Sequence, residues 1–202
     1  MRIISGLARG RKLLTPGKSN LIRPTTDRAR EALFSIIGNR LMSAKVLDLY
    51  AGTGALGLEA FSRGAKQVVF IEKFNNAIKL IHQNCVLCCM GLNNIHDDNL
   101  IVIKHDLRRG LPIKHPIFDK HGSFDIIFLD PPYKKGLAEE SLLSLDNSHF
   151  LNFTTLIIAE ESSAETLPES FTRLTLTDQR KYGDTGFWFY KIKKSLIKNL
   201  NC

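Results

Sequence analysis

Acidic residues are nearly absent from the first 45 positions. Asp27 and Glu31 stand alone there against ten basic residues: Arg2, Arg9, Arg11, Lys12, Lys18, Arg23, Arg28, Arg30, Arg40 and Lys45. That local excess of eight is the chain's whole formal charge of +8. Long apolar runs are also missing, which excludes a bilayer-spanning helix, and no membrane partner is expected. The opening "MRIISGLARGRKLL" has no continuous apolar stretch, so no secretory signal is expected. Cysteine is sparse, with Cys85, Cys88, Cys89 and Cys202 only. No second C-x-x-C and no H-x-x-x-H accompanies Cys85-x-x-Cys88, so no metal is expected. On a helix Cys85, Cys88 and Cys89 share one face and read as small buried hydrophobes. Unpaired thiols fit a reducing, cytoplasmic location. Internal repeats and low-complexity segments are absent.

What is present is ordinary globular material. The 202 residues, 44% hydrophobic and 24% charged, suffice for one well-cored domain with a modest extension. The basic excess marks that extension, residues 1–44, as an arm that meets a polyanion, and its arginine bias suits phosphate forks. Gly6, Gly10 and Pro16 break "RIISGLARGRKLLTP" into a hairpin or irregular strands. "RPTTDRAREALFSIIGNRL" reads as a helix capped at Thr26 or Asp27. Ala29, Leu33, Ile36 and Ile37 form its apolar stripe, with Arg28 and Arg30 directed away.

From Lys45 strands and helices alternate. "KVLDLY", "QVVFIEK", "LIVIKHD", "FDIIFLDPPY" and "TTLIIAEE" read as strands; "ALGLEAFSRG", "NNAIKLIHQNCVLCCMG" and "GLAEESLLSL" read as helices. The alternation predicts an α/β fold, a parallel sheet with helices on both faces. A last hairpin around Gly183-Asp184 adds an antiparallel pair. Pro112–Ser123 is expected to be a solvated loop, and the basic tail, 195–202, to fray.

Chemistry concentrates at two places. "VLDLYAGTGALGLEA" places Gly52, Gly54 and Gly57 in a strand-to-helix turn, the context of a cofactor loop. Glu72, ending the next strand, suits ribose hydroxyls. These features do not separate NAD from S-adenosyl-L-methionine; Asp48 favours the latter, and a second motif, Asp130 to Tyr133, decides between them. A carboxylate about 6 Å from a pyrophosphate charge repels it by roughly 3 kcal/mol at an effective dielectric near 20. The ammonium and sulfonium of S-adenosylmethionine are attracted instead. The bland alternative is that Asp48 caps a turn.

The second place is Asp130-Pro131-Pro132-Tyr133, ending the fourth core strand, the edge where open α/β sheets bind ligands. An exocyclic amine needs acceptors to orient its nitrogen, and Asp130 with the Pro131 carbonyl supplies them. Pro131 and Pro132 stiffen that backbone. Tyr133 stacks an extruded base.

"DLYAGTGALGLEAFSRGA" followed by "DPPY" resembles class I S-adenosylmethionine-dependent amino methyltransferases. "RIISGLARGRKLLTP", "RPTTDRAREALFSII" and "YGDT" narrow the resemblance to the bacterial 16S rRNA (guanine(966)-N(2))-methyltransferase family, from Arg2 to about Tyr190. Tyr50 and Thr53 stand where that family commonly has Phe and Ser, and the stretch from Asp106 to Phe124 is long. The resemblance implies a Rossmann-like seven-stranded sheet over 45–194, mostly parallel with an antiparallel last strand. It implies methylation of the N2 amine of guanine 966 in 16S rRNA, in the small ribosomal subunit or its precursor, by a monomer. Asp48, Tyr50, Gly52, Thr53, Gly54, Glu72 and Asp106 would hold S-adenosyl-L-methionine. Arg9, Arg11, Lys12, Arg23, Thr25 and Arg28 would contact RNA. Two alternatives stay open: a DNA adenine-N6 methyltransferase, and a non-catalytic RNA-binding assembly factor.

Overall fold

The computed structural model describes residues 1–16, 27–89 and 99–195. The chain divides into two compact units, Met1–Asp106 and Leu107–Cys202.

The first unit opens with a small antiparallel hairpin in which Arg2 pairs with Lys12. Helix α1 (Asp27–Ile37) follows, then β1 (Lys45–Leu49), α2 (Ala55–Ser62), β2 (Gln67–Glu72), α3 (Asn75–Cys89) and β3 (Leu100–Lys104). β2 pairs in parallel with β1 and with β3, with Leu47 opposite Val69 and Phe70 opposite Val102. β1 and β2 are near-continuous apolar runs because a parallel strand is covered on both faces; all six residues of β2 are buried.

The second unit contains α4 (Pro116–His121), β4 (Phe124–Leu129), α5 (Leu137–Asp146), β5 (Leu151–Ser162), β6 (Leu174–Tyr182) and β7 (Thr185–Ile192). β4 and β5 are parallel, and β7 is antiparallel to both β5 and β6. Gly183, at φ +60°, opens the two-residue turn between β6 and β7; a left-handed first position is what favours glycine there. Among the described residues the strand order is β3-β2-β1-β4-β5-β7-β6, a seven-stranded sheet with one antiparallel strand, β7, the last of the seven in sequence. This is the expected fold.

Four local expectations are corrected. Pro112–Ser123 is not an open loop. It carries α4, started by Pro116 and by His115, whose Nδ1 accepts the Ile117 N–H at 3.3 Å. Ile117 and Phe118 are buried, and the Phe118 ring lies 4.9 Å from that of Phe150 and 5.9 Å from that of Phe124. On α1 the inward stripe is Ala29, Arg30, Leu33, Phe34 and Ile37, while Ile36 is exposed. Arg30 therefore points inward, where it donates to the Arg2 carbonyl and to Asp27 Oδ1. The described part of the helix runs from Asp27, and Thr26, the other cap candidate, lies outside the described residues. Finally, β3 stops at Lys104, so Asp106 sits two residues past its end.

Candidate active site

The glycine loop is built by strain and close packing. Between Asp48 on β1 and the start of α2, Tyr50 takes φ +60°, a left-handed conformation that costs energy for a residue with a Cβ. Gly52 and Gly54 take φ +57° and +78°. Gly57 is required for a different reason, space. A Cβ there would lie 2.3 Å from Phe70 Cε1, 2.7 Å from Val68 Cγ1 and 2.9 Å from Asp48 Oδ2.

Two buried carboxylates hold this loop. Asp48 Oδ2 accepts the Gly57 N–H at 2.9 Å, satisfying a first-turn amide of α2 that no residue of the helix can pair. The capping role is thus realised. Burial pushes the Asp48 carboxyl up to about 7; the Gly57 hydrogen bond opposes the rise and the nearby charge of Glu72 adds to it. Glu72 Oε2 accepts the Gly52 N–H at 2.9 Å, and Oε1 accepts the N–H groups of Lys73 and Phe74 at 2.7 and 2.9 Å. A carboxylate offers about four acceptor positions, so Glu72 retains capacity for a further donor. A turn that gathers two buried acids favours a cationic ligand bearing hydroxyls.

Beside Glu72 lie groups that the motifs do not point to. The Lys73 ammonium stands 4.6 Å from the centre of the Phe74 ring and 4.0 Å from Asp106 Oδ1. Phe74 is 62% exposed, a flat apolar face next to the acid. Its one signal in the sequence is an aromatic two positions beyond a strand-ending glutamate.

In the second unit, Asp130 follows β4 directly and is half-buried. Pro131 is buried, Pro132 exposed and Tyr133 half-buried. The Tyr133 hydroxyl donates to Glu160 Oε1 at 2.5 Å and lies 3.4 Å from Thr185 Oγ1. Burial, then the Glu160 charge, push its pKa far above the ordinary tyrosine range, so the phenol stays neutral. Lys134 takes φ +61°, and its N–H donates to Glu161 Oε1 at 3.1 Å. Two buried glutamates at the end of β5 thus anchor the Asp-Pro-Pro-Tyr turn. Neither stands out in the sequence, because charged residues at a strand end look solvated.

The basic arm is docked rather than free over residues 1–14. Glu59, fully buried on α2, accepts the N–H groups of Ile4 at 2.7 Å and Ser5 at 3.0 Å, and pairs with Arg63. Ser62 Oγ accepts the Ala8 N–H and donates to the Ser5 carbonyl. This docking leaves Arg9, Lys12 and Arg28 exposed and Arg11 half-buried; Arg23 and Thr25 lie outside the described residues. The thiols of Cys85, Cys88 and Cys89 are free, with Cys88 buried and the other two half-buried. Burial raises Cys85 to about 12 and Cys88 to about 11, which suppresses thiolate chemistry. Among the described residues no group of three His, Cys, Asp or Glu side chains is placed to hold a metal ion. No described helix is long and apolar enough to cross a membrane.

The sheet order, the glycine turn and the strand-ending acids define a class I methyltransferase fold. The chain belongs to the family whose model is described as "Conserved hypothetical protein 95", matched over residues 1–191. It is 33% identical over 191 residues to the ribosomal RNA small subunit methyltransferase D of Escherichia coli K12, covering 95% of this chain and 89% of that one. It is 35% identical over 197 residues to the protein of the same name from Haemophilus influenzae, covering 95% and 92%. A solved Escherichia coli structure, described as the candidate methyltransferase yhhF, superposes with a TM-score of 0.78. It is 32% identical and covers 96% of this chain and 98% of its own. The family resemblance read from the motifs is therefore correct.

Proposed function

We propose that this chain transfers a methyl group from S-adenosyl-L-methionine to the exocyclic N2 amine of a guanine in 16S rRNA, with guanine 966 as the target. The substrate is the small ribosomal subunit or its assembly intermediate. The observation that carries the reading is Asp48: a fully buried carboxylate, pushed up to about 7, in the glycine turn of a chain that also carries Asp-Pro-Pro-Tyr. The small-subunit specificity is supported by the relatives' shared name.

The residues fit that methyl donor. A dry anionic turn favours an ammonium and disfavours a phosphate. Asp48 would face the amino-acid end, beside Tyr50, Gly52, Thr53 and Gly54. Glu72 would accept a ribose hydroxyl at its remaining acceptor position, and Asp106 the adenine amine. The donor supplies an electrophilic methyl on a sulfonium. Asp130 and the Pro131 carbonyl accept the two N2 hydrogens and aim the nitrogen lone pair. Tyr133 covers the face of the flipped base, its ring fixed through Glu160. N2 would take up the methyl with the neutral thioether as leaving group, and the surplus proton on N2 leaves through Asp130 to water. Positioning is the main catalytic contribution. Arg9, Arg11, Lys12, Arg23, Thr25 and Arg28 grip the RNA backbone.

The test is mass-spectrometric mapping of methylated guanines in small-subunit particles, with and without the protein and labelled donor. N2 methylation of guanine 966 is the expected result. Labelling of DNA adenine, or stoichiometric donor binding with no rRNA methylation, would overturn the proposal.

A further inference from the structure

One buried polar side chain is used by neither half of that mechanism. Asn84 lies on the inward face of α3 between Ile81 and Cys88, with no exposed surface. Its Oδ1 accepts the Leu14 N–H at 2.7 Å, and its Nδ2 donates to the Leu14 carbonyl at 3.1 Å. The amide thus pairs with Leu14 as a neighbouring strand would. The same Nδ2 donates to the Thr53 carbonyl at 2.9 Å. Both amide hydrogens are committed, one to the arm and one to the glycine loop.

Thr53 sits between Gly52, whose N–H is held by Glu72, and Gly54, which caps α2. Leu14 is, among the described residues, the last of the docked arm with a hydrogen bond; the segment 17–26, which carries Arg23 and Thr25, follows in the sequence. One amide therefore spans the donor loop and the root of the RNA-contacting segment. Among the described residues no other hydrogen bond joins Leu14 to the body of its unit; Glu59 and Ser62 hold only residues 4–8. A ligand that fixes Thr53 fixes the carbonyl to which Asn84 Nδ2 donates, and through that amide Leu14.

We infer that Asn84 is a positioning residue that couples the donor loop to the basic arm, so that methyl donor and RNA bind cooperatively. This rests on the donor reading given above. Coupling of this kind is reciprocal: each ligand raises affinity for the other by the same factor.

The test uses the full chain with S-adenosylhomocysteine and transcribed 16S rRNA as probes. Calorimetry first establishes that S-adenosylhomocysteine binds; absence of binding overturns the donor reading and this inference together. Hydrogen exchange at the Leu14 amide should then slow on saturation, and rRNA affinity should rise by about 5-fold or more, typical of allosteric coupling. Binding with Leu14 exchange unchanged overturns the coupling alone, in the wild-type protein and without any variant. Asn84→Asp keeps the side-chain size but removes both donors. In that variant the two ligands should bind independently, with the affinity ratio falling to unity. Full coupling in a cooperatively melting Asn84→Asp protein would also overturn the inference.

Discussion

The Tyr133 hydroxyl is held by Glu160 at 2.5 Å, so the ring proposed to stack on the target base is fixed from its far end. Glu160 is only 3% exposed, and Tyr133→Phe would leave it buried without this donor. A hydrogen bond to a buried charge is worth about 1.5–3 kcal/mol, so Tyr133→Phe should lower urea stability by that order. Tyr133→Ala additionally removes base stacking, about 1–3 kcal/mol, and should cut kcat/KM for rRNA by roughly 10- to 100-fold. Donor affinity, read by calorimetry, should stay unchanged in both.

Asp130→Ala should abolish methyl transfer while donor affinity stays within a few-fold. Tritium transfer and calorimetry on the same preparation separate the two effects. Retained transfer would remove Asp130 from the chemistry.

Asp48 predicts a pH dependence with a definite sign. In the free protein its carboxyl is raised to about 7, so it is largely neutral at pH 6. Its contribution to stability is therefore fully present below the ordinary value of 3.8, declines as pH rises above it and is lost by about 7. A bound ammonium favours the carboxylate and pulls the value down. Donor binding should weaken as pH falls from 7 towards 5.5, by up to about tenfold per pH unit. Calorimetry at pH 6 in buffers of different ionisation enthalpy should register a proton released on binding. Asp48→Asn should bind more weakly and lose that release.

Gly57→Ala places a methyl group against Phe70, Val68 and Asp48, within 2.9 Å of an atom of each. Overpacking of this kind costs typically about 1–3 kcal/mol. The variant should melt earlier and lose donor affinity, because β2 and the Asp48 carboxylate must shift to admit it.

Charge reversal at Arg9, Arg11 and Arg28 should weaken rRNA binding and flatten its salt dependence. The slope should fall by about 0.7–0.9 for each phosphate the arm no longer neutralises. Donor affinity should not move. Unchanged RNA binding would reassign the arm to solubility.

Periodicity makes most of the fold legible. The runs ending at Leu49, Glu72 and Leu129 are buried on both faces and read as strands without ambiguity. The residues that stay hidden are those whose chemistry contradicts their location. Arg30 and Asn84 sit on helices at inward positions, but a charge and an amide count against burial in any apolar pattern. Their burial depends on backbone carbonyls brought from Arg2, Leu14 and Thr53, which no local window contains. Helix α4 is not legible because its six residues, starting at a proline, fall short of two helical turns and repeat no apolar stripe. Glu160 and Glu161 are inconspicuous because their partners, Tyr133 and the Lys134 amide, lie 27 positions away. The candidate site is legible in its acids and glycines, and illegible in the groups that hold them.

The placement of β7 bears on how the protein is made. It is the last of the seven described strands in sequence, yet it lies between β5 and β6. A ribosome releasing this polypeptide therefore exposes the open flank of β5 until residues 185–192 emerge. Met1–Asp106, by contrast, has its three strands paired long before. A premature stop near Gly183 would strand a half-finished sheet with a sticky apolar border, prone to aggregation and degradation, and would also delete Thr185 from beside the Tyr133 hydroxyl.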